Sequence, residues 1–251
     1  MHFARCLLLT AALGCASGAG GPPVQYEGGE RAAVTDDGLH RLKSRRMAAV
    51  YLRPGASFVG YRRLLVSPVQ IFFAEDGRDG GSEAKGALSP VDERRFRRIF
   101  QEVLEEELGA SPSFEIVEAP GPDVLRIRSH VVDLVLRART EKSGARVYSL
   151  GAGELTVLLD VSDSESGVAL GRLVDRKRIG SSTTLSVRDL HPHAASLGIG
   201  TAVSRSADAQ WTNLRRIFRG WARVLRQGLE ELIVLGPVPG RETGFGAGGT
   251  P

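Results

Sequence analysis

One segment near the C-terminus constrains the fold more than any other. Between Asp208 and Leu235, the residues Trp211, Leu214, Phe218, Trp221, Ala222, Leu225, Leu229 and Leu232 recur at steps of three and four. At 100° per residue they share one face of a helix. Two tryptophans there can bury large areas, so the segment needs a broad apolar partner. The expectation is a helix lying across a sheet as the main lid of its core. Arg215, Arg216, Arg219, Arg223 and Arg226 gather on an adjoining flank of the same wheel. Guanidinium forks suit phosphate and carboxylate, so this flank is the candidate anion-binding surface.

The middle of the chain supplies the sheet. "ELTVLLDV" sets Leu155, Val157, Leu159 and Val161 on one face and polar residues on the other, the period of a half-buried strand. "SDSESG" is turn chemistry, and "VALGRLVDRKRI" returns as its hairpin partner. "PGPDVLRIRSHVVDLVLRA" opens after a turn and becomes apolar on both faces, as a covered central strand does. "RTEKSGARVYSLGAG" is expected to be a long hairpin connection. "FVGYRRLLVSPVQIFF" and "FEIVEA" add strands. Pro68 in the first of these cannot donate to a ladder, which implies an edge, a strand end or a bulge.

A second helix precedes the strand block. In "SPVDERRFRRIFQEVLEEELG", Ser89 suits the N-cap, Pro90 the first turn, and Asp92 and Glu93 the positive end of the dipole. Phe96, Ile99, Phe100, Val103 and Leu104 form its apolar stripe, and Gly109 stops it. Glu102, Glu105, Glu106 and Glu107 are expected on a solvated face. The fold class is therefore α+β, a mostly antiparallel sheet of about five strands with two main helices packed on one face.

The ends read differently. Residues 15–57 are rich in Gly, Pro and charge and are expected to form a flexible tether, with a packed or helical turn near Met47–Leu52. The domain is expected over 58–235, and 236–251 as a disordered tail. Gly180 to Asp208 is polar and dotted with glycine, and "LGIGTAVS" with Gly198 and Gly200 reads as a connector. At the start, Arg5, the apolar run "CLLLTAAL" and the small residues around Cys15 have the layout of a secretory signal over 1–14. That run is too short to span a bilayer as a helix. "ALGC" resembles the bacterial lipobox, which implies cleavage before Cys15 and acylation of that residue. Cleavage would leave no second cysteine, hence no disulfide. Ala16 after the cysteine implies outer-membrane sorting, with the domain in the periplasm.

Several of these stretches together resemble one bacterial lipoprotein family, catalogued as domain of unknown function thirty-three-thirteen. The pieces are "YRRLLVSPVQIFF", "LSPVDERRFRRIFQEVLEEEL", "VEAPGPDVLRIRSHVVDL", "LLDVSDSESGVALGRLVD" and the final tryptophan-bearing helix, covering about Tyr61 to Leu232. The resemblance implies a lipid anchor and an envelope address. It implies no activity.

The chemistry inventory points away from an enzyme. Asp189, His191 and His193 in "DLHPH" are the one cluster with the flavour of metal ligands, but no second half with ligand spacing accompanies them. No G-x-S-x-G, H-E-x-x-H or P-loop is present. His130 lies on a strand and reads as a satisfied or surface histidine. No cofactor, metal or catalytic residue is assigned. A formal charge of +4 is mild and names no nucleic-acid partner. The expected role is a membrane-anchored, non-catalytic binding or assembly module, its partners the membrane through the lipid and an envelope protein complex. The alternatives are an adaptor for anionic envelope lipid or glycan through the arginine flank, and a metal-dependent hydrolase.

Overall fold

The structure is a computed structural model that describes residues 24–29, 32–73, 88–140, 146–179 and 199–240. Its strands are β1 (His40–Leu42), β2 (Ala49–Leu52), β3 (Arg63–Val66), β4 (Gln70–Phe73), β5 (Glu115–Val117), β6 (Val124–Thr140), β7 (Arg146–Asp163) and β8 (Ala169–Ile179). The helices are α1 (Pro90–Gly109) and α2 (Ile199–Leu235). The strands form one eight-stranded sheet in the order β1-β2-β8-β7-β6-β3-β5, with β4 also beside β6. β6, β7 and β8 make an antiparallel meander, and β2 and β1 extend it in the same sense. β3 runs parallel to both β5 and β6, and β4 parallel to β6.

The alternation read from "ELTVLLDV" is the alternation observed. Leu155, Val157, Leu159 and Val161 are buried in a row with Leu125, Ile127 and Val131 of β6. The apolar stripes of α1 and α2 close over that row. Phe218 of α2 sits edge-on between Phe96 and Phe100 of α1, at 5.1 and 4.9 Å between ring centroids. Arg95 stacks over the Trp211 ring at 4.5 Å. The α1 start is as its sequence requires, with the Ser89 side chain accepting from the Asp92 amide at 3.1 Å.

Five expectations are corrected. The sheet has eight strands rather than about five, and it is mixed. Pro68 splits the first expected strand into β3 and β4, which continue each other along β6, because proline supplies no N–H to bridge the break. The other two additions, β1 and β2, lie inside the stretch expected to be a tether. Leu39, Met47 and Leu52 are buried there, and β2 pairs with β8 from Ala49 to Leu52. Strands this short carry no periodic signal of their own, and a long neighbour supplies the ladder. The expected hairpin connection is largely strand, with β6 reaching Thr140 and β7 starting at Arg146. α2 begins at Ile199, nine residues before Asp208, and takes in Gly200. At its other end Gly236 adopts φ +83°, after which Val238 is buried and exchanges backbone hydrogen bonds with Gly55 and Ala56. Residues 241–251 of the expected tail lie outside the described residues.

The turns that carry the family resemblance meet at one end of the sheet. Ser164 in "DSESG" donates to the Gly121 carbonyl and accepts from the Gly121 amide, each at 3.0 Å, and Arg63 pairs with Asp123 in the same "PGPD" turn. Asp163 accepts from the Ser166 hydroxyl at 2.6 Å, the Ser166 amide at 2.7 Å and the Tyr61 hydroxyl at 3.0 Å. These bonds, the Ser166 hydroxyl first, hold the Asp163 carboxyl below its ordinary value of 3.8. Burial, then Asp163 itself, pushes Tyr61 up to about 12. A depressed carboxyl stabilises the fold fully above its unfolded value and loses that contribution as pH falls through the folded one. Asp163→Asn is therefore expected to flatten the acid limb of stability below about pH 4. Urea midpoints from pH 2 to 6 check this, and an acid limb identical to that of the native chain would remove Asp163 from the account.

Candidate functional site

Cys15 and the trio Asp189, His191 and His193 lie outside the described residues. Among the described residues, no group of three or more His, Cys, Asp and Glu side chains is placed to hold a metal ion.

The arginine flank of α2 faces the acidic row of α1. Arg215 pairs with Glu102 at 3.2 Å, Arg219 with Glu106 at 3.2 Å and Glu107 at 3.5 Å, and Arg223 with Glu107 at 3.3 Å. Arg226 pairs with Glu230 at 3.1 Å and reaches Glu107 at 4.0 Å, while Arg216 donates to Asn213. Glu107, expected on a solvated face, is 12% exposed beneath three guanidiniums. The pairs climb both helices in the same sense, so the two faces zip together along parallel helices. Glu230 thus balances the flank from within α2, whereas the neighbouring Glu231 pairs with Arg46 at 3.4 Å.

His130 sits on the sheet face away from the helices. Its Nε2 lies 3.6 Å from Asp160, whose other oxygen accepts from Arg172 at 2.6 Å, and Phe72 stacks on its ring. Arg172 in turn holds Asp37 at 2.9 Å. The chain Asp37–Arg172–Asp160–His130 pins the segment before β1 to β8 and β7. It is a polar clasp between elements far apart in sequence.

On the helix face of the sheet lies an acid, Asp175 of β8, in register with Val157. It is 5% exposed, accepts from the Trp221 indole at 2.7 Å and the Ala48 amide at 3.3 Å, and has Lys177 at 3.1 Å. The bond ties α2, β8 and the entrance to β2 together.

What remains is a cavity of about 170 Å³ at the seam between the C-terminal half of α2 and the β1–β2 hairpin. Leu42, Met47, Leu52, Leu173, Leu225 and Leu229 supply hydrocarbon walls, and Lys43, Ser44, Arg46 and Glu231 stand at its rim. A shallower depression beside it shares Arg46, Glu231 and Leu235 and adds Val234, which is 88% exposed. This site is not visible in the sequence because much of it is built from the stretch whose composition suggests a tether. One signal was present. Gly228 interrupts the helical stripe, and an isolated glycine in a helix usually has a packing or functional reason.

Gly228 lines the cavity, and a Cβ added there would meet nothing within 4 Å. Its backbone is helical, so alanine would fit without strain. Gly228→Ala is expected to stabilise the fold by about 0.5–1 kcal/mol, the difference between the two residues in a helix interior. A thermal or urea melt checks the sign, and destabilisation would mean that the space is needed for packing.

No curated protein matches the chain significantly. Among solved structures, the chain is similar to the PelC dodecamer from Paraburkholderia phytofirmans, at 10% identity over 68% of this chain and 96% of that one, with a TM-score of 0.32. It is similar to the hypothetical protein CT253 from Chlamydia trachomatis, at 11% identity over 68% and 98%, with a TM-score of 0.33. It is also similar to protein XCC0632 from Xanthomonas campestris, at 14% identity over 71% and 90%, with a TM-score of 0.32. A family model matches residues 32–205, from the segment before β1 through the interlocked "PGPD" and "DSESG" turns into the start of α2. By that match the chain belongs to the family described as Protein of unknown function (DUF3313).

Proposed function

We propose that the chain is a membrane-anchored bacterial envelope lipoprotein whose α+β domain is a non-catalytic binding or assembly module. Acylation of Cys15 would hold it at the outer membrane, with the domain in the periplasm. The observation that carries the binding reading is the cavity at the α2–hairpin seam. Its walls offer hydrocarbon, and its polar groups are confined to the rim, the arrangement of a site that holds a ligand without reacting with it. The arginine flank supports a free anion-binding surface less well, since four of its five guanidiniums lie against carboxylates of α1 or α2.

The anchor reading rests on "ALGC" and is tested at Cys15. Cys15→Ser should leave the protein uncleaved or soluble and no longer fractionating with membranes, because buried acyl chains contribute about 0.8 kcal/mol per CH₂. Density-gradient separation of inner and outer membranes follows the native chain. A serine variant processed to the same size and still membrane-bound would end the lipoprotein reading.

A further inference from the structure

We infer that the seam cavity binds the aliphatic chain of a single-chain anionic amphiphile, a fatty acid, with its carboxylate at Arg46 and Lys43. This names a ligand class for the binding module and rests on that reading, but it is independent of the lipid on Cys15. Three observations carry it. The first is size and lining. About 170 Å³, walled largely by leucines and open on one side, slightly exceeds the roughly 150 Å³ apolar cavity that admits benzene, so it takes about six to eight carbons.

The second is that a helix-disfavoured residue keeps the space open. Gly228 lines the cavity, a Cβ there would stand in open space, and the residue otherwise costs helix stability. The third is charge at the mouth. Lys43 and Arg46 face a single acid, Glu231, so the rim carries an excess positive charge. Arg46 and Glu231 meet at 3.4 Å with both side chains more than half exposed, a weak pair that an incoming carboxylate can replace on the guanidinium. Beyond that pair, exposed Val234 offers an apolar lip for the part of the chain outside the cavity.

Calorimetric titration of the purified full chain with decanoate, decanol and acetate, each below any micelle concentration, tests the inference. Decanoate should bind one to one, decanol more weakly, and acetate not at all. Gly228→Leu should abolish decanoate binding while retaining a cooperative melt. The double change Lys43→Gln and Arg46→Gln should weaken decanoate by about tenfold or more, the scale of a lost charge-assisted hydrogen bond, and leave decanol within about twofold. Decanol binding as tightly as decanoate, with no response to the glutamine changes, would overturn the anionic ligand and leave the binding module standing. Failure of both probes on a folded chain would overturn the cavity as a binding site altogether. Binding that appears only after residues 241–251 are removed would assign the cavity to the chain's own C-terminus and overturn the inference as well.

Discussion

Trp221→Ala is expected to destabilise the domain by about 3–5 kcal/mol, the range for deleting a large buried aromatic. Trp221 is 3% exposed and stacks on Phe218 at 6.0 Å, which in turn meets both phenylalanines of α1. Its removal opens a void at the junction of both helices and the sheet. It also deprives the Asp175 carboxylate of its shortest hydrogen bond. Arg223→Ala, two residues along and with a side chain 54% exposed, should cost under about 0.5 kcal/mol, as surface changes usually do. Urea melts of the two variants check the contrast. Equal losses would mean that the ion-pair seam, and not the aromatic stripe, holds α2 in place.

Asp175→Ala is expected to cost about 3 kcal/mol, because it strands the Trp221 indole N–H and the Ala48 amide without an acceptor and leaves Lys177 without its counter-charge. Asp175→Asn keeps an acceptor oxygen for the indole but gives up the charge and sets an NH2 donor against the Ala48 amide, so it should cost about 1–2 kcal/mol, less than alanine. Trp221 and Asp175 touch, so the double alanine variant should lose less than the two singles together, with an interaction energy of about 1 kcal/mol or more. Additive losses would show that the indole–carboxylate bond contributes nothing beyond packing. An asparagine variant as damaged as alanine would shift the weight from the hydrogen bond to the charge.

Much of this molecule was legible from local pattern, and the failures share one cause. The stripes of α1 and α2, the Ser89 cap and the alternation from Leu155 to Val161 are periodicities set by backbone geometry, so they appear in the sequence as they appear in the fold. The arginine flank was legible as a face but not as a seam. Its main partners Glu102, Glu106 and Glu107 lie 113 to 116 residues away, and no spacing rule connects them. The same holds for Asp175, whose partner Trp221 arrives from α2, 46 residues later.

Local pattern was enough to place the two helices and the cores of the long strands, to say which faces they bury, and to give an α+β sheet-and-helix domain, though not the full reach of β6, β7 and α2. Those properties follow from the repeat of each element and the cost of leaving apolar surface in water. Long-range contacts settled that β1 and β2 join the sheet, that β3, β4 and β5 run parallel to their neighbours, and that α1 neutralises α2. It also decided that a cavity opens where Gly228 faces the hairpin. Each of these depends on contacts between residues distant along the chain, and a strand of three or four residues has no stable conformation until a neighbour supplies its hydrogen bonds.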